Sequence, residues 1–371
     1  MYCCYFFCIN FYYMGDSEIN DIRSMNDFNG ISFSNFKKAD VKKELLNSLT
    51  NSKVEPACYW SAELICAGHY GDLWETIIYF YTKYIHLGNL KIAVYLELRI
   101  NQFKDIVNKG YADNELKMRN SDKIRHLFCE IMCILCDAKR KHSFDTVKIK
   151  TYDFNMTELR DKFKAPSNTF AKDIILDEDP KELVPAINEI AYNISDEGKN
   201  IINACYWIEW IMEFETKCKN KKEKIKCGRR NFSQVDTKLQ KEIVWIIWDL
   251  FLKEAAKRSK FIQKTMDALL SLFTLKYTTG CQKKRRNILY FAISVLCENI
   301  VNTEEIMRQS QMEIVSNILK KKDYIYKQIK ANEKSPGTEY LFKDIKSTNL
   351  EKTIEKLDKM STFGETFIPR I

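Results

Sequence analysis

The sequence has 371 residues, of which 45% are apolar and 13% aromatic, so it is long and apolar enough for a sizeable core and excludes a mostly disordered chain. It contains only 11 glycines and 6 prolines, too few for the many tight turns of a β-sandwich or a doubly wound sheet, and therefore predicts an all-α fold. The formal net charge of +9 permits contact with a polyanion, but the richness in Lys, Asn and Ile is typical of an AT-rich genome, so local charge clusters are more informative than the total.

The first 36 residues are predicted to form an irregular N-terminal segment. Residues 1–13 are apolar, but they are too short to span a bilayer and have no basic start or small-residue cleavage site. The composition becomes ordinary directly after Met14. Translation from Met1 and translation from Met14 are both left open.

A first helical block is predicted over residues 37–163. Asp72, followed by Glu75, resembles a capping box at the start of a strongly apolar helix. The next helix runs from Asn89 to Gly110, and a cysteine-bearing helix follows Ser121. Residues 147–152 alternate between apolar and polar side chains and are predicted to be a strand or an extended linker.

Residues 164–178 are predicted to be a linker, and residues 179–322 a second helical block. Asp179 and Pro180 fit the N-cap and first position of a helix. Later helices are predicted over residues 236–257, 260–277, 285–300 and 303–320. Residues 243–248 are apolar on every side, which predicts that their helix is central.

Residues 323–371 are predicted to be a Lys-rich tail that carries an amphipathic helix. Leu350, Ile354 and Leu357 lie on one stripe of that helix. The helix is expected either to dock back on the chain or to bind a partner.

A four-residue phrase, Ala-Cys-Tyr-Trp, occurs at residues 57–60 and again at residues 204–207. Leu64 and Ile211 extend the likeness at the same helical spacing. We interpret this as a divergent internal duplication, in which Trp60 and Trp207 are both buried. Each is expected to pack against the apolar helix that follows in its own block, residues 73–84 and 242–251. The alternative is a single irregular helical domain.

Enzyme motifs are absent from the sequence. It has no phosphate-binding loop of the Walker type, no dinucleotide fingerprint, no His-Glu-x-x-His and no nucleophile elbow. We therefore predict a non-enzymatic protein with no catalytic residues and no cofactor. The remaining enzymatic hypothesis pairs His69 and His86 in an acid–base site, whereas each histidine alone fits a helix end.

Thirteen cysteines occur, mostly inside helical patterns. Cys129, Cys133 and Cys136 lie at positions i, i+4 and i+7 of an apolar run, where cysteine acts as a small hydrophobic residue. Cys133 and Cys136 have His126 and His142 nearby, but a Cys-x-x-Cys in mid-helix cannot readily gather four tetrahedral ligands. We predict reduced thiols, no metal site and a cytosolic or nuclear-type compartment.

Two basic clusters are the strongest functional signal. The first is a loop with a single acidic residue, Glu223, and its predicted nucleic-acid contacts are Lys219, Lys221, Lys222, Lys224, Lys226, Arg229 and Arg230. The second follows Gly280 at a helix N-terminus and comprises Lys283, Lys284, Arg285 and Arg286. Basic residues there oppose the helix dipole, so a bound phosphate would relieve the conflict. The alternative is that both clusters are merely solvated.

The pattern Ala57-x-Tyr59-Trp60-x-Ala62-x-Leu64-x-x-Ala67-Gly68, with Tyr-Ile-His-Leu-Gly-Asn at residues 84–89, resembles a known helical domain. It is similar to the C-terminal oligomerisation domain of the replication-associated recombination AAA+ ATPases, relatives of clamp loaders. The resemblance covers residues 54–140, about a quarter of the chain. The ATPase module is missing, and the family's acidic residues after Ala-Gly are reduced to Asp72. The resemblance therefore implies self-association and not ATP hydrolysis.

The whole chain, including the phrase at residues 204–210 and Tyr-Thr-Thr-Gly-Cys at residues 277–281, also resembles a helical protein shared by large nucleocytoplasmic DNA viruses. This resemblance implies a viral source and a cytoplasmic location, in the host cytoplasm or a viral factory, or else the virion. It implies no mechanism.

Together these features predict an oligomerisation or accessory protein of viral DNA replication or repair that contacts nucleic acid through its basic loops. Its expected partners are nucleic acid and either a second copy or another protein, with no membrane. The alternative is a virion-structural or protein-interaction scaffold that binds no nucleic acid.

Overall fold

Helices dominate the computed structural model, which describes residues 17–110, 114–223, 225–300 and 304–334. Within these ranges, β structure is limited to two isolated bridges, Ile31 with Lys37 and His86 with Lys141. The predicted all-α fold is confirmed. Of residues 147–152, predicted to be a strand or an extended linker, 147–150 form neither helix nor strand, whereas Thr151 begins a 3-10 helical turn, Thr151–Phe154.

The N-terminal helices belong to the predicted first block. They are α1 (Lys38–Thr50), α2 (Val54–Cys66), α3 (Tyr70–Phe80), α4 (Lys91–Asn108), α5 (Glu115–Asn120) and α6 (Asp122–Asp137). Helix α2 packs against α1 and α6. Gly68 follows α2 with a φ of 75°, in the left-handed region that favours glycine. A Cβ at this position would also lie only 2.7 Å from Cγ of Met25. Helix α3 continues into a π-helical turn, Tyr81–Ile85.

A largely irregular stretch follows, in which the short helix α7 (Met156–Leu159) and three 3-10 turns occur, and the remaining helices come after it. They are α8 (Val184–Ile194), α9 (Ile201–Asn220), α10 (Val244–Ala256), α11 (Lys260–Thr274), α12 (Cys281–Lys284), α13 (Arg286–Cys297), α14 (Gln309–Lys320) and α15 (Lys322–Lys330). The helix predicted from residue 236 begins only at Val244, because the amide of Gln240 donates to the carbonyls of Phe232 and Val235 and holds a turn there. Trp245 and Trp248 are fully buried, which confirms that α10 is central.

The two predicted blocks share one hydrophobic core among the described residues. Helix α4 packs against α11, and α13 packs against the π-helical turn after α3. Tyr81 meets Phe291 edge to face, with ring centroids 5.3 Å apart. Contacts of this kind fix the position of the second block on the first.

The described part of the N-terminal segment, residues 17–36, is irregular apart from a 3-10 turn, Met25–Phe28, but it is anchored. Ile19, Phe28 and Phe33 are completely buried. The guanidinium of Arg23 lies over both phenylalanine rings and pairs with Asp21 at 2.6 Å. Residues 1–16, with both candidate start sites, lie outside the described residues.

The first part of the predicted tail is also anchored. Helix α15 packs against α2 and α6 and buries Tyr326 and Ile329. Farther on, the backbone of Lys334 is hydrogen-bonded to Ile22 and to the carboxylate of Asp21. The described chain therefore returns to its own N-terminal segment. The predicted amphipathic segment, residues 350–357, lies outside the described residues.

The two copies of the repeated phrase differ in their packing. Trp207 is 1% exposed and stacks on Phe163, whereas Trp60 is only half-buried beside Phe36 and Tyr59. Helix α9, which carries the second copy, packs mainly against α8 and α13 and not against α10. The predictions that Trp60 is buried and that α9 packs on the next long helix are wrong, because different segments cover the two helices.

Candidate nucleic-acid interface

The first basic cluster lies at the C-terminal end of α9 and in the loop that follows it. Lys222 begins this loop in the left-handed region, with a φ of 62°. The exposed basic side chains are Lys219, Lys221, Lys222, Lys226 and Arg229. Lys224 lies outside the described residues. These side chains are available to a polyanion in solvent.

Arg230, predicted to contact nucleic acid, instead lies inside the protein. Its two terminal nitrogens donate to the two carboxylate oxygens of Asp179 at 2.7 and 2.6 Å, and one also donates to the carbonyl of Ile174. Burial raises the pKa of Asp179, but hydrogen bonds from Arg230 and from two backbone amides outweigh it and hold that pKa below its usual value. The prediction for Arg230 is wrong, because this side chain is buried and paired with Asp179. The sequence did not reveal this pair, since the two residues are 51 positions apart.

Arg285 and Arg286 of the second cluster are likewise paired with carboxylates of the protein. The guanidinium of Arg285 is buried, pairs with Glu75 of α3 and donates to the carbonyl of Phe273 at 2.6 Å. Arg286 is half-buried and donates to Glu209 of α9 at 3.1 Å. The predicted surface contact at Arg285 is therefore wrong.

The turn before α12, where the sequence predicted that a phosphate could bind, lies beside an internal carboxylate. Glu242 accepts hydrogen bonds from the hydroxyls of Tyr277 and Thr279 and from the amide of Gln282. Glu242 thus already supplies negative charge beside the turn, and phosphate binding there stays a prediction. Lys283 and Lys284 are exposed.

Helix α9 brings the two clusters together. Nζ of Lys283 lies 3.9 Å from Oε2 of Glu213, which is in the middle of α9. From Glu213 to Lys219 the helix rises by about 9 Å. Lys283 of the second cluster therefore lies beside the same helix that ends in the first cluster.

A segment that the sequence did not connect to the clusters also lies against α9. We call residues 147–163 the strap. Its Asp153 accepts a hydrogen bond from the hydroxyl of Tyr206, and the carbonyl of the same residue accepts one from the indole of Trp210 at 2.8 Å. Phe154 stacks on Trp210 in addition. The alternation over residues 147–152 predicted a strand or an extended linker, but no local pattern could identify the helix that the strap covers.

The strap adds basic side chains to this region. Lys148, Lys150 and Lys162 are exposed. The ammonium of Lys162 lies 5.1 Å from the ring of Tyr206, and that of Lys217 lies 3.5 Å from the ring of Phe154. We define the basic surface as the exposed residues Lys148, Lys150, Lys162, Lys219, Lys221, Lys222, Lys226, Arg229, Lys283 and Lys284.

Two carboxylates of α9 pair with lysines of the basic surface. Glu215, which is only 13% exposed, pairs with Lys219 at 2.8 Å, and Glu213 lies 3.9 Å from Lys283. The Lys283 pair is exposed on both sides, and such pairs contribute about 0–1 kcal/mol. A phosphate could therefore compete for Lys283 at little cost.

The two histidines of the enzymatic hypothesis do not share a site. His69 is at the start of α3, with Nε2 2.7 Å from the carbonyl of Ile31. His86 follows the π-helical turn at the opposite end, roughly 20–25 Å away along the helix. Its ring is buried and stacks on Phe291, and burial, with Lys141 and Lys83 nearby, lowers its pKa to about 3. The acid–base pairing is wrong.

The four residues considered for zinc are not gathered either. His126 is exposed, and His142 lies beyond the end of α6, against the ring of Tyr84. Cys133 belongs instead to a group of three buried thiols with Cys58 and Cys129.

Within the described ranges, no helix is long and apolar enough to cross a bilayer. No family model, no curated protein and no solved structure matches the chain. The chemistry of the surface therefore carries the functional argument.

Proposed function

We propose that this protein is a non-enzymatic accessory protein that binds nucleic acid through the phosphate backbone, using the basic surface along α9. The observation that carries the proposal is the gathering of exposed lysines from three separate segments, namely the strap, the end of α9 with its loop, and helix α12, which carries Lys283 and Lys284. Segments that are distant in sequence contribute the same charge to one region.

The side chains present favour phosphate contacts over base recognition. Lysine ammonium groups neutralise phosphates without reading sequence. Most aromatic rings of this region, including Trp207 and Trp210, are buried by the strap and cannot stack on bases. We therefore propose binding that is independent of sequence and strongly dependent on salt.

The resemblances support a role in viral DNA replication or repair and add self-association to it. Sequence-independent binding suits a protein that must act along any part of a genome. Self-association would multiply a modest phosphate affinity by presenting several basic surfaces to one strand.

Charge reversal tests the proposal. The triple variant Lys221→Glu, Lys222→Glu and Lys226→Glu is compared with Lys43→Glu, Lys104→Glu and Lys109→Glu, which changes the net charge equally at exposed positions of α1 and around the end of α4. Fluorescence anisotropy with a labelled DNA duplex is measured across a salt series. We expect the wild-type affinity to fall linearly on a log–log plot, and the first variant to reduce the slope by about 0.9 for each phosphate that is no longer neutralised.

The control triple should keep nearly wild-type affinity and slope. Absence of wild-type binding at low salt, or an equal loss in both triples, would contradict the proposal. Folding of each variant is checked by its thermal unfolding transition.

A second candidate function, a protein-interaction scaffold, is favoured by an apolar groove beside α2, away from the residues of the basic surface. A cavity of about 900 Å³ lies between α2, α14 and α15 and is lined by Tyr59, Trp60, Ile314 and Tyr324. Ile314 is 51% and Tyr324 is 66% exposed, so the groove has an uncovered apolar wall.

We propose residues 350–357 of the chain itself as its occupant, in the same molecule or in a second copy. The described chain ends at Lys334, close to the groove. The amide of Asn332 donates a hydrogen bond to the hydroxyl of Ser34. That hydroxyl donates to Glu63, which lies on the helix that carries Trp60. The apolar stripe of this segment is flanked by an acidic one, and Lys320 and Lys321 line one side of the groove. The acidic stripe consists of Glu351, Glu355 and Asp358.

Photo-crosslinking of the full chain tests this occupant. A photoreactive amino acid at Tyr324 should crosslink to peptides that contain residues 350–357. The same group at Leu98, an exposed position of α4, should not. Mixing light and heavy isotope-labelled chains distinguishes docking within one molecule from exchange between copies. Equal crosslinking from both positions would rule out this docking.

A further inference from the structure

Three thiols from two helices converge in the core beneath α15. Cys129 and Cys133 lie one turn apart on the same face of α6. Cys58 faces them from α2, and its sulfur is 3.5 Å from that of Cys129. All three sulfur atoms lie within 4.8 Å of one another, and all three residues are buried.

We propose that Cys58, Cys129 and Cys133 form a three-coordinate site for a thiophilic metal ion, and that Cu(I) is the ion it matches. The site is separate from the basic surface, and nothing in the proposed function requires it.

The donor set selects the ion. Soft thiolate ligands favour Cu(I), zinc and iron–sulfur clusters. Zinc is almost always bound by four tetrahedral ligands in structural sites. In the described part of the chain, no imidazole or carboxylate joins the three sulfurs in this group. Cu(I), unlike zinc, is stable with three sulfur ligands.

The geometry is close to that of a trigonal site. With metal–sulfur bonds of about 2.3 Å, three sulfurs in a trigonal arrangement are roughly 4 Å apart. The observed sulfur–sulfur distances bracket this value, since Cys58 and Cys129 are 3.5 Å apart and no pair exceeds 4.8 Å. Helices α2 and α6 pack directly against each other, so the ligands stand on rigid elements.

The proton balance of binding is simple. Thiolates are the metal ligands, so Cu(I) displaces the thiol protons of the three cysteines, which leave to solvent, and no electron is transferred. Lys322 and His126 lie near Cys129 and offset part of the negative charge.

An entry route is present as well. A cavity of about 370 Å³ reaches Cys133 and is lined by Arg140, Arg308 and Gln311 among others. Cys136 lines the same cavity, but it is not one of the three converging sulfurs. This cysteine is the matched control, since it is buried on the same helix.

Anaerobic titration of the full chain with Cu(I), against a chromogenic copper chelator, tests the site. We expect one tightly bound Cu(I) per chain, thiolate-to-copper absorption in the near ultraviolet and three sulfur neighbours by X-ray absorption spectroscopy. Cys129→Ser should weaken binding by more than about 100-fold, since even second-sphere changes cost 10–100-fold. Cys136→Ser should leave the affinity within about 2-fold, well below that second-sphere range.

Cys58→Ser provides a second ligand variant on the other helix, and thermal unfolding checks that each variant is folded. Wild-type binding no tighter than that of Cys129→Ser, or an equal loss in Cys136→Ser, would overturn the proposal. A tetrahedral Co(II) spectrum at the same cysteines would overturn the three-coordinate assignment.

Discussion

At the scale of single residues, His86 shows how burial sets the response to acid. Both ring nitrogens are buried without a hydrogen-bond partner, and the pKa is lowered from about 6.5 to about 3. The unfolded chain therefore binds more protons than the folded chain between these values. The stability that neutral His86 permits is fully present above about pH 6.5 and is lost as the pH falls from there towards 3, by about 1.4 kcal/mol per unit.

We predict that His86→Phe, which keeps the ring stack on Phe291, reduces the stability lost between pH 7 and pH 5 by about 2 kcal/mol. Urea unfolding at several pH values measures this difference. His126→Gln replaces an exposed imidazole and should follow the wild-type curve. If the two variants respond to acid identically, His86 is not the residue that titrates.

At the scale of helices, the same four-residue phrase leads to two different energetic roles. Trp207 is enclosed by α9 neighbours and by the strap, so Trp207→Ala should cost about 3–5 kcal/mol of unfolding free energy. Trp60 lines the groove and is only half-buried, so Trp60→Ala should cost less than about half of that. Denaturant titration at pH 7 measures both, and equal losses would contradict the difference in packing.

At the scale of the whole molecule, the shared core joins two surfaces with different chemistry. The basic surface is built mainly on α9 and the segments that cover it, whereas the groove is built on α2, α14 and α15. Between them, Arg285 ties α13 to Glu75 of α3. These contacts join elements that are 210 residues apart in the sequence. An occupant of the groove and a bound nucleic acid would therefore bind to the same packed unit.

The sequence determined the class of secondary structure and the existence of the basic clusters. Helical periodicity, caps and the scarcity of glycine and proline are local properties, so the all-α fold and the central position of α10 could be read directly. Helix limits were less certain where side chains hold turns, as Gln240 does before Val244. The exposed lysines could be recognised because a run of charge with few apolar residues cannot be buried.

Tertiary structure alone decided which cationic and thiol groups are available. Arg230 and Arg285 look like their exposed neighbours in the sequence, but Asp179 and Glu75 reach them from 51 and 210 residues away. Cys58 meets Cys129 from 71 residues away, and the strap covers α9 through contacts that no local pattern encodes. The physical reason is common to all of these cases. Burial and pairing of a side chain depend on which residues, distant in sequence, come into contact with it, and these contacts are determined only when the helices pack.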